Sequence, residues 1–157
     1  MEKQEPRTYK TRTGVRDIGR GAIVNIASAH SFVPLPNKVA YIAAKHADIG
    51  LLKFAGEFSS RSLRTARLMG LVVEYASKGI RINALCPSFV WTRMAADELK
   101  VDDTGLKFVE AVVPIKRMAE AQEVGDTAVW LCGPQSTYIN GVSLVVDAGA
   151  LLTIRVS

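Results

Sequence analysis

The sequence predicts an α/β fold, with about three strands and flanking helices. Three observations predict it. Short, β-branched apolar runs stand at 21–27, 80–86 and 142–146, each bounded by glycine, proline or polar turn residues. Segments with helical apolar spacing lie between them, at 39–56 and 121–132. At 157 residues and 48% hydrophobic, the chain is long enough for one compact domain with a real core.

Residues 1–20 are polar, charged and almost free of large apolar side chains, so they read as a disordered or loosely held arm. Gly21–Ala27 reads as the first strand, and Ala29–Lys38, with Pro34 and Pro36, as a loop. A helix begins near Val39, and its Ala/Gly-rich start permits close approach to a sheet or a partner helix. Ile80–Cys86 is the second strand, closed by Pro87-Ser88. A short helix (Ala95–Lys100), a polar break (Asp102–Gly105) and an apolar stretch (Leu106–Val113) follow. Trp91, Met94, Phe108 and Val112 there are either pocket wall or plain packing. Ala121–Cys132 is a helix with an acidic start, Glu120 and Glu123, and it ends at Gly133-Pro134. Tyr138–Gly141 is a turn into the third strand, Val142–Val146, and 151–157 carries no assignable pattern. Three strands leave one long apolar strand edge unpaired.

The chemistry concentrates at the end of the first strand. Ser28 closes an apolar run, Tyr41 opens a helix, and Lys45 lies four residues on, on the same helix face. A phenol titrates near pH ~10, and a neighbouring ammonium favours its phenolate, which brings it toward working pH. A serine hydroxyl beside it can hold the oxygen of a carbonyl or alcohol. The Tyr-x-x-x-Lys pattern alone fits an ordinary amphipathic helix face equally well. His30 reads as an exposed loop histidine in preference to a second base near Ser28, and His46 as a helix-surface residue, with no metal-type spacing around it.

The company of these residues is more specific. Gly21-Ala-Ile-Val-Asn-Ile-Ala-Ser28, then Tyr41-x-x-x-Lys45, then Gly79-Ile-Arg-Ile-Asn-Ala-Leu-Cys-Pro87 closely resemble the short-chain dehydrogenase/reductase family. The resemblance implies part of a Rossmann-like, doubly wound parallel sheet, and NAD(H) or NADP(H) as cofactor. It implies Tyr41 as catalytic acid/base and Ser28 as the residue that orients the substrate oxygen. Lys45 would lower the phenol's pKa and bind the nicotinamide ribose. Tyr41, Lys45, Pro87, Ser88, Val90 and Thr92 would contact the cofactor, with the Val90 backbone at the carboxamide and the Thr92 hydroxyl toward the diphosphate. Ser88 stands where the family usually has glycine, and serine resists some backbone angles glycine accepts. Asn83 has a structural hydrogen-bonding role by the same reading. The family's closing strand ends Val-Asp-Gly-Gly, and here it ends Val146-Asp-Ala-Gly149.

The resemblance covers about 21–149 and corresponds to the family's C-terminal half. No Gly-x-x-x-Gly-x-Gly occurs, so the pyrophosphate-binding unit is absent and the chain alone is expected to bind nucleotide poorly. Residues 57–72 depart from the family. Deleting them joins Lys53–Gly56 to Val73–Gly79 as one helix pattern, so 57–72 reads as an insertion. In the family, the helix at 39–56 and its continuation commonly forms a subunit interface, which implies a homo-oligomer.

The net charge of +5 resides in two segments: 1–20 contributes +3 and 57–72 contributes +2, while the rest holds eleven charges of each sign. No basic face with aromatic or motif context supports a nucleic-acid partner. No apolar run reaches the roughly 18 residues of a membrane span. The first residues lack a signal peptide's apolar region. Cys86 and Cys132 read as isolated buried thiols in a reduced, cytoplasmic setting. Two functions stay open: an oxidoreductase acting on a small-molecule alcohol or ketone, or a non-catalytic fragment or oligomerisation partner that binds no nucleotide itself.

Overall fold

The computed structural model describes residues 1–34, 37–53, 71–99 and 103–153. Its centre is a parallel three-stranded sheet in the order β3–β4–β5, formed by Gly21–Ile26, Ile80–Pro87 and Ser143–Val146. All eight residues of the middle strand, β4, are buried. A parallel strand needs cover on both faces, and its two sets of alternating side chains meet different neighbours. Ile80, Ile82, Ala84 and Cys86 join Ala27 and Leu52 in one core cluster. Helices α1 (Val39–Lys53) and α2 (Leu71–Ala76) lie over that face and add Ile49, Val72 and Tyr75 to the cluster. Arg81, Asn83 and Leu85 belong to the opposite set, and α5 (Ala121–Cys132) packs against β3 and β4.

Backbone carbonyls and N–H groups meet most of the buried polar side-chain atoms on that second face, and the Arg81 Nε has no partner. Asn83 is wholly buried; its Nδ2 donates to the Ile139 carbonyl (3.1 Å) and its Oδ1 accepts from Val142 N–H (3.1 Å). Its role is the structural one expected. Arg81 donates to the carbonyls of Ile139 (3.1 Å) and Gly133 (3.4 Å), and burial pulls its guanidinium below the usual arginine range. In a smaller second core Val109 and Val113 pack with Met118 and Ala150. It is built by α3 (Arg93–Leu99), α4 (Asp103–Val112) and α6 (Ala150–Thr153) with the loops between them.

Residues 1–20 differ from the expected loose arm. β1 (Arg7–Thr11) and β2 (Gly14–Gly19) form an antiparallel hairpin. Backbone pairing does not require apolar side chains. Threonine, tyrosine, valine and isoleucine favour the pleat, and Thr11 Oγ1 donates to the Gly14 carbonyl across the turn (2.9 Å). The hairpin is mostly exposed, and Arg16 ties it to the domain through the Pro134 carbonyl (2.6 Å). At its exit, Gly19 has φ +81 and a Cβ there would lie 2.4 Å from the Gly79 carbonyl, so only glycine fits.

The expected insertion at 57–72 falls outside the described residues as far as 70. Its last two positions open α2, and Val72 packs on the main core, so the chain is integral to the fold from there. Of the tail, residues 150–153 form a helical turn capped by Asp147, whose carboxylate accepts from Gly149 N–H (2.9 Å) and Leu151 N–H (2.8 Å). Among the described residues β3 pairs on one side only, and Ile23 and Ile26 are 42% and 50% exposed. Both cysteines are free; Cys86 is buried as expected, but Cys132 at the end of α5 is exposed.

Candidate active site

Parallel strands end at the same edge of a sheet, so the loops after β3 and β4 meet there. Ala27 N–H bonds to the Leu85 carbonyl (2.8 Å) and Ser88 N–H to the Val146 carbonyl (3.1 Å). These bonds carry the sheet geometry past the strand ends and fix Ser28 beside Pro87-Ser88. Ser28 is 5% exposed, and its Oγ accepts the His30 N–H (3.1 Å), capping a turn at Ala29–Ser31. A hydroxyl accepting one bond keeps its own proton to donate. Burial pushes the nearby Cys86 thiol up.

Tyr41 and Lys45 project from the first turns of α1. The lysine Nζ is 6.0 Å from the centroid of the tyrosine ring. It also donates to the Ile26 carbonyl (2.9 Å) and to Asp48 Oδ2 (3.0 Å). The backbone of α1 is held in turn, because Ser31 Oγ donates to the Lys45 carbonyl (2.7 Å). His30 is half-buried and sits edge-on to Tyr41, with centroids 6.5 Å apart at 70°. It is a wall residue of the site, contrary to the exposed loop histidine expected. His46 is exposed on α1, with Nδ1 3.0 Å from the Ile42 carbonyl.

The segment after β4 is pinned by a short parallel bridge. Ala119 N–H bonds to the Phe89 carbonyl (2.9 Å) and Trp91 N–H to the Ala119 carbonyl (2.8 Å). Peptide groups alternate along extended chain, so the N–H and C=O of Val90 face away from that bridge. Ser88 is not among the non-glycine residues with positive φ, so serine in the glycine position carries no left-handed strain. Thr92 Oγ1 accepts the Ala95 N–H (3.2 Å) and starts α3, and its hydroxyl proton remains free to donate.

One cavity of about 680 Å³ gathers these groups. Ser28, Tyr41, Lys45, Pro87, Ser88, Val90 and Thr92 all line it. Of the four apolar candidates, Met94 and Phe108 line it, whereas Val112 packs into the second core and Trp91 lies outside the lining. Phe89 and Phe108 meet edge to face, 5.9 Å apart, and both line the cavity. Sequence reasoning missed Phe89, Lys38, Ala121 and Val124, which line the cavity from three separate segments with no shared motif. It also missed Asp48, which a Lys-x-x-Asp spacing on α1 announces.

None of the described lining residues is acidic. An opening lined by lysines, hydroxyls and apolar surface fits the nicotinamide–ribose end of a dinucleotide. No group of three or more metal-type side chains occurs among the described residues, and no described helix is long and apolar enough to cross a membrane.

Comparisons with known proteins agree with this geometry. Residues 10–150 match the family model described as enoyl-(acyl carrier protein) reductase. The chain is 36% identical to the short-chain dehydrogenase fogB of Aspergillus ruber, over 98% of its own length and 50% of that protein. Among solved structures, it resembles 4-hydroxyisoleucine dehydrogenase complexed with NADH at 25% identity and a TM-score of 0.69, covering 84% of this chain and 47% of that one. It resembles ElxO with NADP bound at 29% identity and a TM-score of 0.66, over 84% and 47%. The chain thus spans about half the length of the relatives it matches. Its sheet is the corresponding part of a Rossmann-like fold, the family's cofactors are NAD(H) and NADP(H), and the chain belongs to the short-chain dehydrogenase/reductase family.

Proposed function

We propose that this chain carries the proton-transfer residues and the nicotinamide-facing segment of an oxidoreductase that interconverts a secondary alcohol and a ketone. The observation that carries the reading is the single cavity lined by Ser28, Tyr41, Lys45 and the 87–92 segment. When bound, the nicotinamide exchanges a hydride with the substrate carbon. Tyr41 exchanges the proton of the substrate oxygen, and the Ser28 hydroxyl donates to the same oxygen and fixes its direction. Lys45, Pro87, Ser88, Val90 and Thr92 are the residues that would hold the nicotinamide end: Lys45 would offer its ammonium to a ribose hydroxyl, Pro87 and Ser88 would flank the ring, the Val90 peptide groups would meet the carboxamide and the Thr92 hydroxyl would serve the diphosphate side. Phe89, Met94 and Phe108 supply apolar surface for the body of a small-molecule substrate.

A second reading has its own support. Among the described residues β3 pairs on one side only, with Ile23 and Ile26 exposed. A catalytically inactive docking partner would present such a surface. The exposed Val39 and Leu51 of α1 suit contact with a second copy in either reading. Titration of the purified chain with NADH and NADPH separates the two. Saturable binding, expected to be weaker than micromolar, supports the oxidoreductase; no binding at millimolar nucleotide supports the docking partner.

A further inference from the structure

We propose that Asp48 is a positioning residue for Lys45, holding the ammonium so that one N–H remains for a ligand in the cavity. An ammonium has three donors and no acceptor. Two are committed: one to the Ile26 carbonyl at 2.9 Å, one to Asp48 Oδ2 at 3.0 Å. These anchors come from different elements, the end of β3 and the next turn of α1, so together they fix both the position and the orientation of Nζ. The Lys45 and Asp48 side chains are 23% and 29% exposed, so the pair is partly shielded from solvent. Asp48 is itself fixed to the sheet, because its carbonyl accepts from Asn25 Nδ2 (3.5 Å). The third N–H belongs to a residue that lines the cavity, with its Nζ 6.0 Å from the Tyr41 ring centroid. Without the carboxylate, a four-carbon side chain held by one neutral carbonyl would sample many rotamers, and a ligand would have to select one.

The proposal rests on the reading of Lys45 as a ligand-facing residue. Its test needs no substrate. The full chain is treated with an amine-acylating reagent at constant neutral pH, and the rate at each lysine is read by mass spectrometry. A nitrogen held in two hydrogen bonds, one to a carboxylate, must leave that geometry before it can attack the reagent. Wild-type Lys45 is expected to react more slowly than Lys10 on the exposed hairpin. Asp48→Asn, which keeps the shape and loses the charge, should raise the Lys45 rate at least about threefold and leave Lys10 and Lys116 unchanged. Asp48→Glu should restore the slow rate. An unchanged Lys45 rate in Asp48→Asn overturns the proposal. So does an equal rise at every lysine, which would make Asp48 a general support of the fold. Tyr41→Phe should leave the labelling unchanged, so a failure here is distinct from a failure of the proton-transfer assignment.

Discussion

The two walls of the cavity are built on different principles. The wall with Ser28, Tyr41 and Lys45 is held by directional bonds to the sheet and to its own backbone: Lys45 to the Ile26 carbonyl, Ser31 to the Lys45 carbonyl, His30 N–H to Ser28. The facing wall of Phe89, Met94 and Phe108 rests on apolar contact, with Met94 65% and Phe108 48% exposed. Proton transfer requires atoms fixed to within fractions of an ångström. Recognition of a substrate's apolar body tolerates adjustment. One domain thus keeps a rigid chemical wall against an adaptable covering wall.

Breaking the support of the rigid wall should have the largest effect. Leu85 is fully buried in β4, next to Cys86 and Pro87. Leu85→Ala should cost about 2–5 kcal/mol of stability, measured as a lowered denaturant midpoint with unchanged slope. A loss under half a kcal/mol would show that the sheet does not hold that wall. On the adaptable side, Phe108→Ala removes the edge-to-face contact with Phe89. It should raise KM several-fold while kcat stays near wild type. An equal fall in kcat would place Phe108 among the residues that set the reacting geometry.

The smallest effect concerns the helix that closes the cavity from below. Ala121 and Val124 line it, and α5 starts with a capping box in which Glu123 accepts from the Glu120 N–H (2.8 Å). Arg117 binds the same carboxylate through two donors at 2.8 Å, and chiefly for that reason Glu123 titrates at about 2, below the ordinary 4.5. A depressed carboxyl pKa stabilises the fold above the ordinary value, and that stabilisation is lost as pH falls from 4.5 toward 2. Glu123→Gln should flatten that part of the stability–pH curve. Because the group is on the surface the change is small, and an unaltered curve would remove the cap from the account.

The rigid wall was legible in the sequence and the adaptable one only in part, for physical reasons. Ser28, Tyr41 and Lys45 occupy one strand end and one helix face, so local spacing encodes their proximity. The strand at 80–87 announced itself by β-branched alternation and is buried throughout, and the one at 143–146 by a short apolar run that is half-buried. Met94 and Phe108 were candidates for the wall from their apolar chemistry, whereas Phe89 and Val124 reach the cavity only through tertiary packing and no local pattern marks them. Trp91 and Val112 carry the same chemistry as their neighbours, and the turn of the backbone alone sends them elsewhere. The hairpin at 7–19 was missed because its strands are exposed on most positions and bury no periodic face. Cys132 was read as buried from its apolar neighbours, yet it falls on the solvent side at the helix end.

Turnover of Tyr41→Phe against wild type, with NADH or NADPH and a panel of ketones, tests the central claim most directly. The variant keeps the ring beside His30 and loses only the hydroxyl. The account predicts a fall in kcat of about 10²–10⁴-fold with an unchanged thermal midpoint, and full activity in the variant would contradict it.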